Sequence, residues 1–254
     1  MSGTDSSKTG ILGGPAVILV EPQLGQNIGM VARAMLNCGL GDLRLVNPRD
    51  GWPNPAAESA ASGAVAVIDH ARLYDSTRAA IADLQRVYAA SARSRDLVKP
   101  VVTPRQAAAE LRAATAERIL TGVIFGPERS GLTNDDLALA DSVIAVPLNP
   151  AFSSLNLAQA VLIVGYEWFQ AAAGVPAREL PLAGSQPATK DELINLFERL
   201  EQALDAAGFL KPPEKRPSMV RNLRDIFARA DLSEQEVRSL HGVISAFVNR
   251  RGDG

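Results

Sequence analysis

The sequence predicts an α/β protein, with a mostly parallel sheet flanked by helices and a small C-terminal helical extension. Two observations support this class. From Ala16 to about Ala173, short apolar runs alternate with segments in which apolar residues recur at helical spacing. Residues 189–254 show helical spacing alone. A chain of 254 residues is long enough for one main domain and a smaller second one.

Six short apolar runs, bounded by turn residues, predict the strands of this sheet. In order they are Ala16–Val20, Leu43–Val46, Val65–Ile68, Arg86–Ser91, Ile119–Phe125 and Ser142–Val146. Five further segments predict helices, and two of these follow residues suited to an N-cap, Thr103 and Thr133. The predicted helices are Asn27–Cys38, Ser76–Leu84, Pro104–Ala116, Asn134–Leu139 and Asn156–Ala172.

Shifts in composition divide the chain into four parts. The first is rich in serine, threonine and glycine, which predicts a disordered leader, and the third holds three prolines and two glycines, which predicts a linker. The second is the α/β domain, and the fourth contains two capping boxes that open apolar patterns at helical spacing and predict about three helices. The parts are residues 1–14, 15–173, 174–188 and 189–254, and the capping boxes are Thr189 with Glu192 and Ser233 with Glu236.

Charge and cysteine content exclude several kinds of site. The formal net charge is -2, so no overall positive field indicates a nucleic-acid partner, and such binding needs a local patch. The one cysteine, Cys38, excludes an intramolecular disulfide and a cysteine-rich zinc site, and with only two histidines we expect no metal. No apolar run has the length of a membrane span and no signal sequence is evident, so we expect a cytoplasmic protein.

Two familiar nucleotide-binding motifs are only approximated. The Rossmann fingerprint fails, because Arg44 stands where its third glycine belongs. Residues 126–133 have the glycine spacing of a phosphate-binding P-loop, but Leu132 replaces the lysine and Glu128 adds a negative charge. The segment predicts either a tight turn without a ligand or a loop whose backbone closely approaches a different ligand.

Three further segments carry polar side chains where an apolar surface would be ordinary. Arg33 lies two turns into the first helix, beside alanines, as either a solvated or a substrate-binding arginine. Residues 91–95 place two arginines and two serines at a sheet edge, which suits a phosphate or an RNA backbone. Residues 149–156 carry two serines and two asparagines into an apolar helix, which is more than one N-cap requires.

Together these segments resemble the three ordered motifs of the SpoU branch of the SPOUT RNA methyltransferases. The matching stretches are Asn27-Ile-Gly-x-x-Ala-Arg33-Ala, Phe125-Gly-Pro-Glu-x-x-Gly131-Leu-Thr-Asn and Pro150-x-x-Ser153-Ser-Leu-Asn-Leu-Ala-x-Ala-Val161. The segment 91–95, the doubled serine and the stretch Arg221-Asn-Leu-Arg-x-Ile-Phe-x-Arg229 narrow the resemblance to bacterial tRNA 2′-O-ribose methyltransferases of the TrmJ type. The resemblance covers nearly the whole chain from Ala16.

This resemblance implies a deep trefoil knot in the C-terminal part of the α/β domain, which forms a pocket for S-adenosylmethionine. Small residues there would leave recognition to backbone groups. A homodimer is also implied, with the apolar helix Leu157–Phe169 as its face, although that helix equally suits the domain core. The implied cofactor-binding residues are Ala90, Ser91, Ala92, Gly126, Val146, Ser153, Ser154 and Leu155.

The resemblance makes Arg33, Ser154 and Asn156 the candidate catalytic residues. Methyl transfer from a sulfonium to a ribose hydroxyl requires positioning and activation of that hydroxyl, without a metal or redox group. Arg33 is then either the general base or a group that holds RNA and orients the hydroxyl, and the strong basicity of a guanidine favours the second role. Ser154 and Asn156 position the substrate, and Glu128 braces its loop.

The implied substrate is tRNA, methylated on cytidine or uridine at anticodon-loop nucleotide 32. Residues 211–229 carry six basic side chains and two acidic ones, a surplus of four that suits a tRNA backbone, with a solvated helix face as the alternative. Two other functions stay open, which are methylation of another tRNA position or of ribosomal RNA, and RNA binding without catalysis. The predicted RNA-binding residues are Arg33, Arg93, Arg95, Lys211, Lys215, Arg216, Arg221 and Arg224.

Overall fold

The structure is a computed structural model that describes residues 12–91, 98–173 and 184–249. The chain divides into two compact units, residues 1–175 and 176–254. None of the helices in the described ranges is long and apolar enough to cross a membrane.

The first unit is built on a parallel sheet. Its strands are β1 (Ala16–Val20), β2 (Leu43–Val46), β3 (Arg72–Tyr74), β4 (Arg86–Ala90), β5 (Val101–Val102), β6 (Thr121–Phe125) and β7 (Ser142–Ile144). They lie in the order β3-β2-β1-β6-β4-β7-β5, and every neighbouring pair is parallel. The predicted α/β class is confirmed. The trefoil knot stays a prediction.

Helices cover both faces of this sheet. Along β1, Val17 and Leu19 belong to one apolar cluster, whereas Ile18 and Val20 belong to another, because successive side chains of a strand point to opposite faces. All residues of β1 and β6 are buried, as expected for central strands of a covered parallel sheet. The helices are α1 (Gly25–Asn37), α2 (Pro55–Ala61), α3 (Val65–Asp69), α4 (Thr77–Ala80), α5 (Pro104–Ala116), α6 (Asn134–Ala138) and α7 (Leu157–Gln170).

One predicted strand is wrong. The run Val65–Ile68 lies in helix α3, where Val65 is exposed while Val67 and Ile68 are buried. Four apolar residues fit a short helix as well as a strand, so the pattern alone does not separate the two. The edge strand is β3, a few residues further along the chain.

Besides β3, two elements of the first unit escaped the prediction, and one helix is much shorter than predicted. Helix α2 begins behind Asn54, whose side chain accepts a hydrogen bond of 3.0 Å from the Ala56 amide, with Pro55 at the first helical position. Asparagine followed by proline is a helix-start signal that the sequence does contain. Strand β5 has only two residues, too few for any periodic pattern. Helix α4 is a single turn inside the predicted segment Ser76–Leu84.

Arg44 is a charge buried at the edge of this sheet, only 2% exposed. Its guanidinium donates hydrogen bonds of 2.9 Å to each of the carboxylates of Asp42 and Asp83, and a third of 2.6 Å to the Ala80 carbonyl. Burial opposes the charge, but these bonds outweigh it and raise the pKa of Arg44. Arg44, which stands where the Rossmann pattern has its third glycine, therefore joins β2 to the end of α4 and to the segment that follows it.

The described part of the second unit contains three α-helices, the number that the sequence predicts. They are α8 (Lys190–Ala206), α9 (Arg216–Ala228) and α10 (Glu234–Asn249), with a short 3-10 helix at Pro213–Lys215. Both predicted capping boxes form, since Thr189 and Ser233 exchange hydrogen bonds with the glutamate three residues later. Helices α8 and α10 bury Leu196 and Ile244 against each other, whereas α9 has no buried residue.

Candidate active site

A cavity of about 280 Å³ opens at the carboxyl ends of β6, β4 and β7, which are neighbours in the sheet. Ligand sites in open α/β sheets collect at this edge, because the loops that follow parallel strands meet there. Phe125, Ile144 and Leu157 are among the apolar residues of the lining. The remainder is made by the loop after β6, the end of β4 and the segment leading into α7.

The structure brings most of the predicted cofactor-binding residues together around this cavity. Ala92 lies outside the described residues. The seven that line the cavity are Ala90, Ser91, Gly126, Val146, Ser153, Ser154 and Leu155. These residues come from four places along the chain, so their convergence is a product of the fold.

The loop after β6 is a tight turn that depends on glycine. The Gly131 amide donates a 2.8 Å hydrogen bond to the Pro127 carbonyl, and Gly131 has a φ of 67°, which favours glycine. A Cβ at Gly126 would lie 2.3 Å from the backbone nitrogen of Leu132, a distance that no real side chain tolerates. Leu132, which stands where a P-loop has its lysine, is only 2% exposed. Its buried apolar side chain therefore holds the turn against the core.

A chain of partly buried hydrogen bonds joins this loop to two other motifs. The side-chain amide of Asn27, on α1, donates a 2.6 Å hydrogen bond to Glu128 Oε1. Asn27 Oδ1 accepts a 3.1 Å hydrogen bond from the side-chain amide of Asn156. The second carboxylate oxygen of Glu128 accepts a 2.9 Å hydrogen bond from the Gln23 amide. Since Asn27 is only 5% exposed, water does not compete freely for these bonds.

Asn156 has a second bond besides this link. Its side-chain oxygen accepts a 2.8 Å hydrogen bond from the Ala158 backbone amide and caps α7, and its own backbone amide donates a 2.9 Å hydrogen bond to Gln159 Oε1. Both ends of its side chain are therefore engaged within the chain. In the structure Asn156 holds α1 and α7 in register, which is a positioning role. Its predicted catalytic role is a separate question, and stays a prediction.

The serines beside Asn156 are differently placed. Ser153 and Ser154 are exposed, line the cavity, and make no hydrogen bond through their hydroxyls to any residue in the described ranges. The structure thus leaves these hydroxyls available for a ligand, which is what the predicted role of Ser154 requires.

Arg33 extends from the exposed face of α1. Its guanidinium has no hydrogen bond or ion pair to the described part of the chain, and it is not among the residues that line the cavity. Arg129, which the sequence interpretation passed over, does line the cavity and is likewise unpaired among the described residues. The sequence feature that could have identified Arg129 as a site residue is its position next to Glu128 in the second motif. The predicted RNA-binding residues Arg93 and Arg95 lie outside the described residues.

A larger cavity of about 460 Å³ lies against the same loop, near the ends of β1, β2 and β3, and shares Pro127, Ser130 and Gly131 with the first. Four of the five charged side chains that line it are acidic, which disfavours a phosphate or an RNA backbone. The charged side chains are Glu21, Asp75, Arg78, Asp135 and Asp136. No group of three or more potential metal ligands was found in the described ranges.

The basic residues of the second unit fall into two groups. Arg216 and Arg224 form ion pairs with Asp205 and Glu201, at 2.6 Å and 2.7 Å, so part of their charge is neutralised locally. The other predicted RNA-binding residues of this unit are exposed and unpaired within the described part of the chain. They are Lys211, Lys215 and Arg221.

Two family models match this chain. Residues 14–166 match the SpoU rRNA methylase family, and residues 191–253 match the C-terminal domain of the tRNA methyltransferase TrmJ. The chain therefore belongs to the SpoU methylase family, a family of RNA methyltransferases, and carries the additional domain of its TrmJ members.

Known proteins resemble the chain along nearly its whole length. The tRNA (cytidine/uridine-2′-O-)-methyltransferase TrmJ of Pectobacterium atrosepticum is 40% identical over 238 residues, which cover 91% of this chain and 95% of that protein. The crystal structure of TrmJ from Z. mobilis ZM4 has a TM-score of 0.79 and 47% identity, and covers 92% of this chain and 99% of that one. A probable methylase family protein from Haemophilus influenzae has a TM-score of 0.65 and 32% identity, with coverages of 92% and 95%.

The buried link through Asn27 predicts a measurable loss of stability. Asn27→Ala should lower the free energy of unfolding by about 1–3 kcal/mol, because the Glu128 carboxylate and the Asn156 amide both lose a buried partner. Urea unfolding monitored by circular dichroism measures this. Asn37→Ala is the matched control, since Asn37 is exposed on the same helix and its side chain has no described partner. Equal stability of the two variants would contradict the proposed importance of the link.

Proposed function

We propose that this protein is an S-adenosylmethionine-dependent tRNA ribose 2′-O-methyltransferase. The observation that carries the proposal is the convergence of Ser91, the Gly126 turn and the two serines before α7 on one cavity, with Asn27 tying two of these segments together. Relatives that match this chain over nearly its whole length are named as tRNA (cytidine/uridine-2′-O-)-methyltransferases, which supports tRNA as the substrate and the ribose hydroxyl as the acceptor.

The cavity fits the proposed cofactor in chemistry. Its apolar floor of Phe125, Ile144 and Leu157 suits an adenine ring and a methionine chain. Its small residues leave backbone amides and carbonyls accessible, and Ser153 and Ser154 add free hydroxyls. When bound, S-adenosylmethionine supplies a methyl group already activated by a positively charged sulfur.

Arg33 is proposed to act on the RNA. Its guanidinium holds a phosphate and stabilises the negative charge that develops on the 2′-oxygen during transfer. Ser154 positions the ribose at the cavity mouth. Asn156, Asn27 and Glu128 keep the turn and α7 in place, so that the reacting atoms are held in line.

The target nucleotide is the most specific part of the proposal. Nucleotide 32, with either cytidine or uridine, follows from the resemblance to TrmJ-type enzymes. Incubation of the protein with S-adenosylmethionine and unmodified tRNA transcripts, followed by mapping of 2′-O-methyl groups, tests it. A methyl group at nucleotide 32 is the expected result. Methylation of another tRNA position or of ribosomal RNA would overturn the proposed target nucleotide. Methylation of a base, or of no RNA, would overturn the proposed 2′-O-methyltransferase activity.

We propose that a second copy of the chain covers the outer face of α1 and α7. The two helices pack against each other. Helix α7 buries Val164 and Trp168 in the core, yet leaves Leu162 42% and Tyr166 54% exposed, and Met30 of α1 is 39% exposed. Apolar side chains on adjoining helices are typical of a homodimer face. Sedimentation equilibrium at micromolar concentration should give twice the mass of the chain, and a monomer mass would contradict the proposal.

Removal of the Arg33 guanidinium should separate catalysis from cofactor binding. Arg33→Ala is expected to lower kcat for tRNA methylation by at least about a hundredfold. Its dissociation constant for S-adenosylmethionine, measured by calorimetry, should stay unchanged, because Arg33 does not line the cavity.

The control for Arg33 is Arg118→Gln, which removes an exposed arginine just before β6, at the amino-terminal edge of the sheet. This variant should retain the wild-type rate. Retention of full activity by Arg33→Ala would remove Arg33 from the catalytic machinery.

The unpaired basic residues of the second unit should govern the salt dependence of tRNA binding. Lys215→Gln and Arg221→Gln should each weaken binding and reduce the slope of log affinity against log salt by about 1, because each releases fewer counterions. Filter binding across a salt series measures the slope. Lys190→Gln removes an exposed lysine outside the 211–229 segment and should leave it unchanged. Equal slopes for all proteins would exclude this patch from the RNA surface.

A further inference from the structure

Phe152 is the most exposed aromatic side chain in the described part of the chain, at 74%. A ring left in water contributes no burial energy to the fold of the single chain. The motifs described above assign it no role, since Phe152 stands at an unspecified position of the third motif.

Phe152 lies in a short segment whose flanking residues line the cavity. Leu148 on one side of Phe152 and Ser153 on the other both line the cavity. The turn between them is held by two hydrogen bonds to Asn149. The Ala151 amide donates to the side-chain oxygen of Asn149 at 3.0 Å, and the Phe152 amide donates to its carbonyl at 2.9 Å. The ring is therefore presented from an ordered turn.

We propose that Phe152 is a base-stacking residue that holds the target nucleobase, or its neighbour in the RNA, flat against the rim of the cavity. This inference rests on the proposed function. A nucleotide whose 2′-hydroxyl enters the cavity must be unpaired and turned out of its stack, and exposed aromatic rings are the usual support for such bases.

Stacking also accounts for tolerance of two pyrimidines. A ring that contacts the face of a base does not read the hydrogen-bonding groups at its edge, where cytidine and uridine differ. Phe152 thus supplies affinity for the target nucleotide without selecting between the two bases. The uncommitted Arg129 at the same cavity is placed to serve the adjoining phosphate.

Three substitutions distinguish stacking from simple apolar bulk. Phe152→Tyr keeps the aromatic face, Phe152→Leu keeps apolar volume without it, and Phe152→Ala removes both. We expect the alanine and leucine variants to lose about fivefold to a hundredfold in tRNA affinity and in kcat/KM, and the tyrosine variant to keep both near wild type. The ratio of rates on tRNAs that carry cytidine or uridine at the methylated position should be the same in all variants.

Leu120→Ala is the control for loss of an exposed apolar side chain, because Leu120 is 55% exposed just before β6, at the opposite edge of the sheet. S-adenosylmethionine binding by calorimetry and the sedimentation mass should be unchanged in every variant. Wild-type tRNA affinity in the alanine or leucine variant would overturn the proposal. Weakened cofactor binding would make the ring a cofactor contact, and a lower mass would make it a dimer contact, and either would also overturn it.

The stacking role of Phe152 can be tested separately from the proposed methyltransferase activity. Equilibrium binding of tRNA reports on Phe152 even where no methyl group is transferred, whereas transfer by the wild-type protein reports on the activity. Failure of wild-type transfer with a selective loss of tRNA affinity in the alanine and leucine variants would reject the activity and keep the stacking role.

Discussion

The site depends on one chain of hydrogen bonds, from Asn156 through the buried side chain of Asn27 to Glu128. These residues lie 129 and 101 positions apart along the chain, on α7, α1 and the turn after β6. Each bond involves a polar group that burial would otherwise penalise, so the three elements are stable only in the arrangement that satisfies all of them. This arrangement fixes the positions of the loops that enclose the cavity.

The sheet order explains why the cavity lies where it does. Strands β6, β4 and β7 are neighbours although other elements separate them in sequence, so three loops that are distant along the chain meet at one edge. Gly126 allows the first loop to fold onto its own backbone, and the Ser91 amide donates to the Ile144 carbonyl, which joins the other two strand ends. The result is a cavity that combines apolar side chains with small residues, suited to a ligand recognised through its shape and through backbone contacts.

Much of the fold could be predicted from local patterns, and the failures have physical causes. Strands β1 and β2 were predicted with their observed bounds, because buried parallel strands are continuous apolar runs. The run Val65–Ile68 was assigned to a strand because four apolar residues carry no usable period. The pairing of strands, by contrast, is a long-range property that no local pattern encodes.

The site was less accessible to sequence reasoning than the fold. Polar density at three segments marked them as unusual, but only the resemblance to a methyltransferase family suggested that they form one pocket. The partner of Asn27 is invisible in the sequence, because its spacing from Glu128 has no local meaning. The ion pairs of Arg216 and Arg224 were equally hidden, so a count of basic residues overstated the charge free to meet RNA.

The central claim is that the hydrogen bonds from Asn156 through Asn27 to Glu128 hold the walls of the cavity in place. A double-mutant cycle between Asn27 and Asn156 tests this claim most directly. The free energy of S-adenosylmethionine binding is measured by calorimetry for Asn27→Ala, Asn156→Ala and the double variant. If the chain acts as a unit, each single change weakens binding and the double change is less than additive, with a coupling of about 0.5–3 kcal/mol. Wild-type affinity in both single variants, or strictly additive losses, would contradict the account.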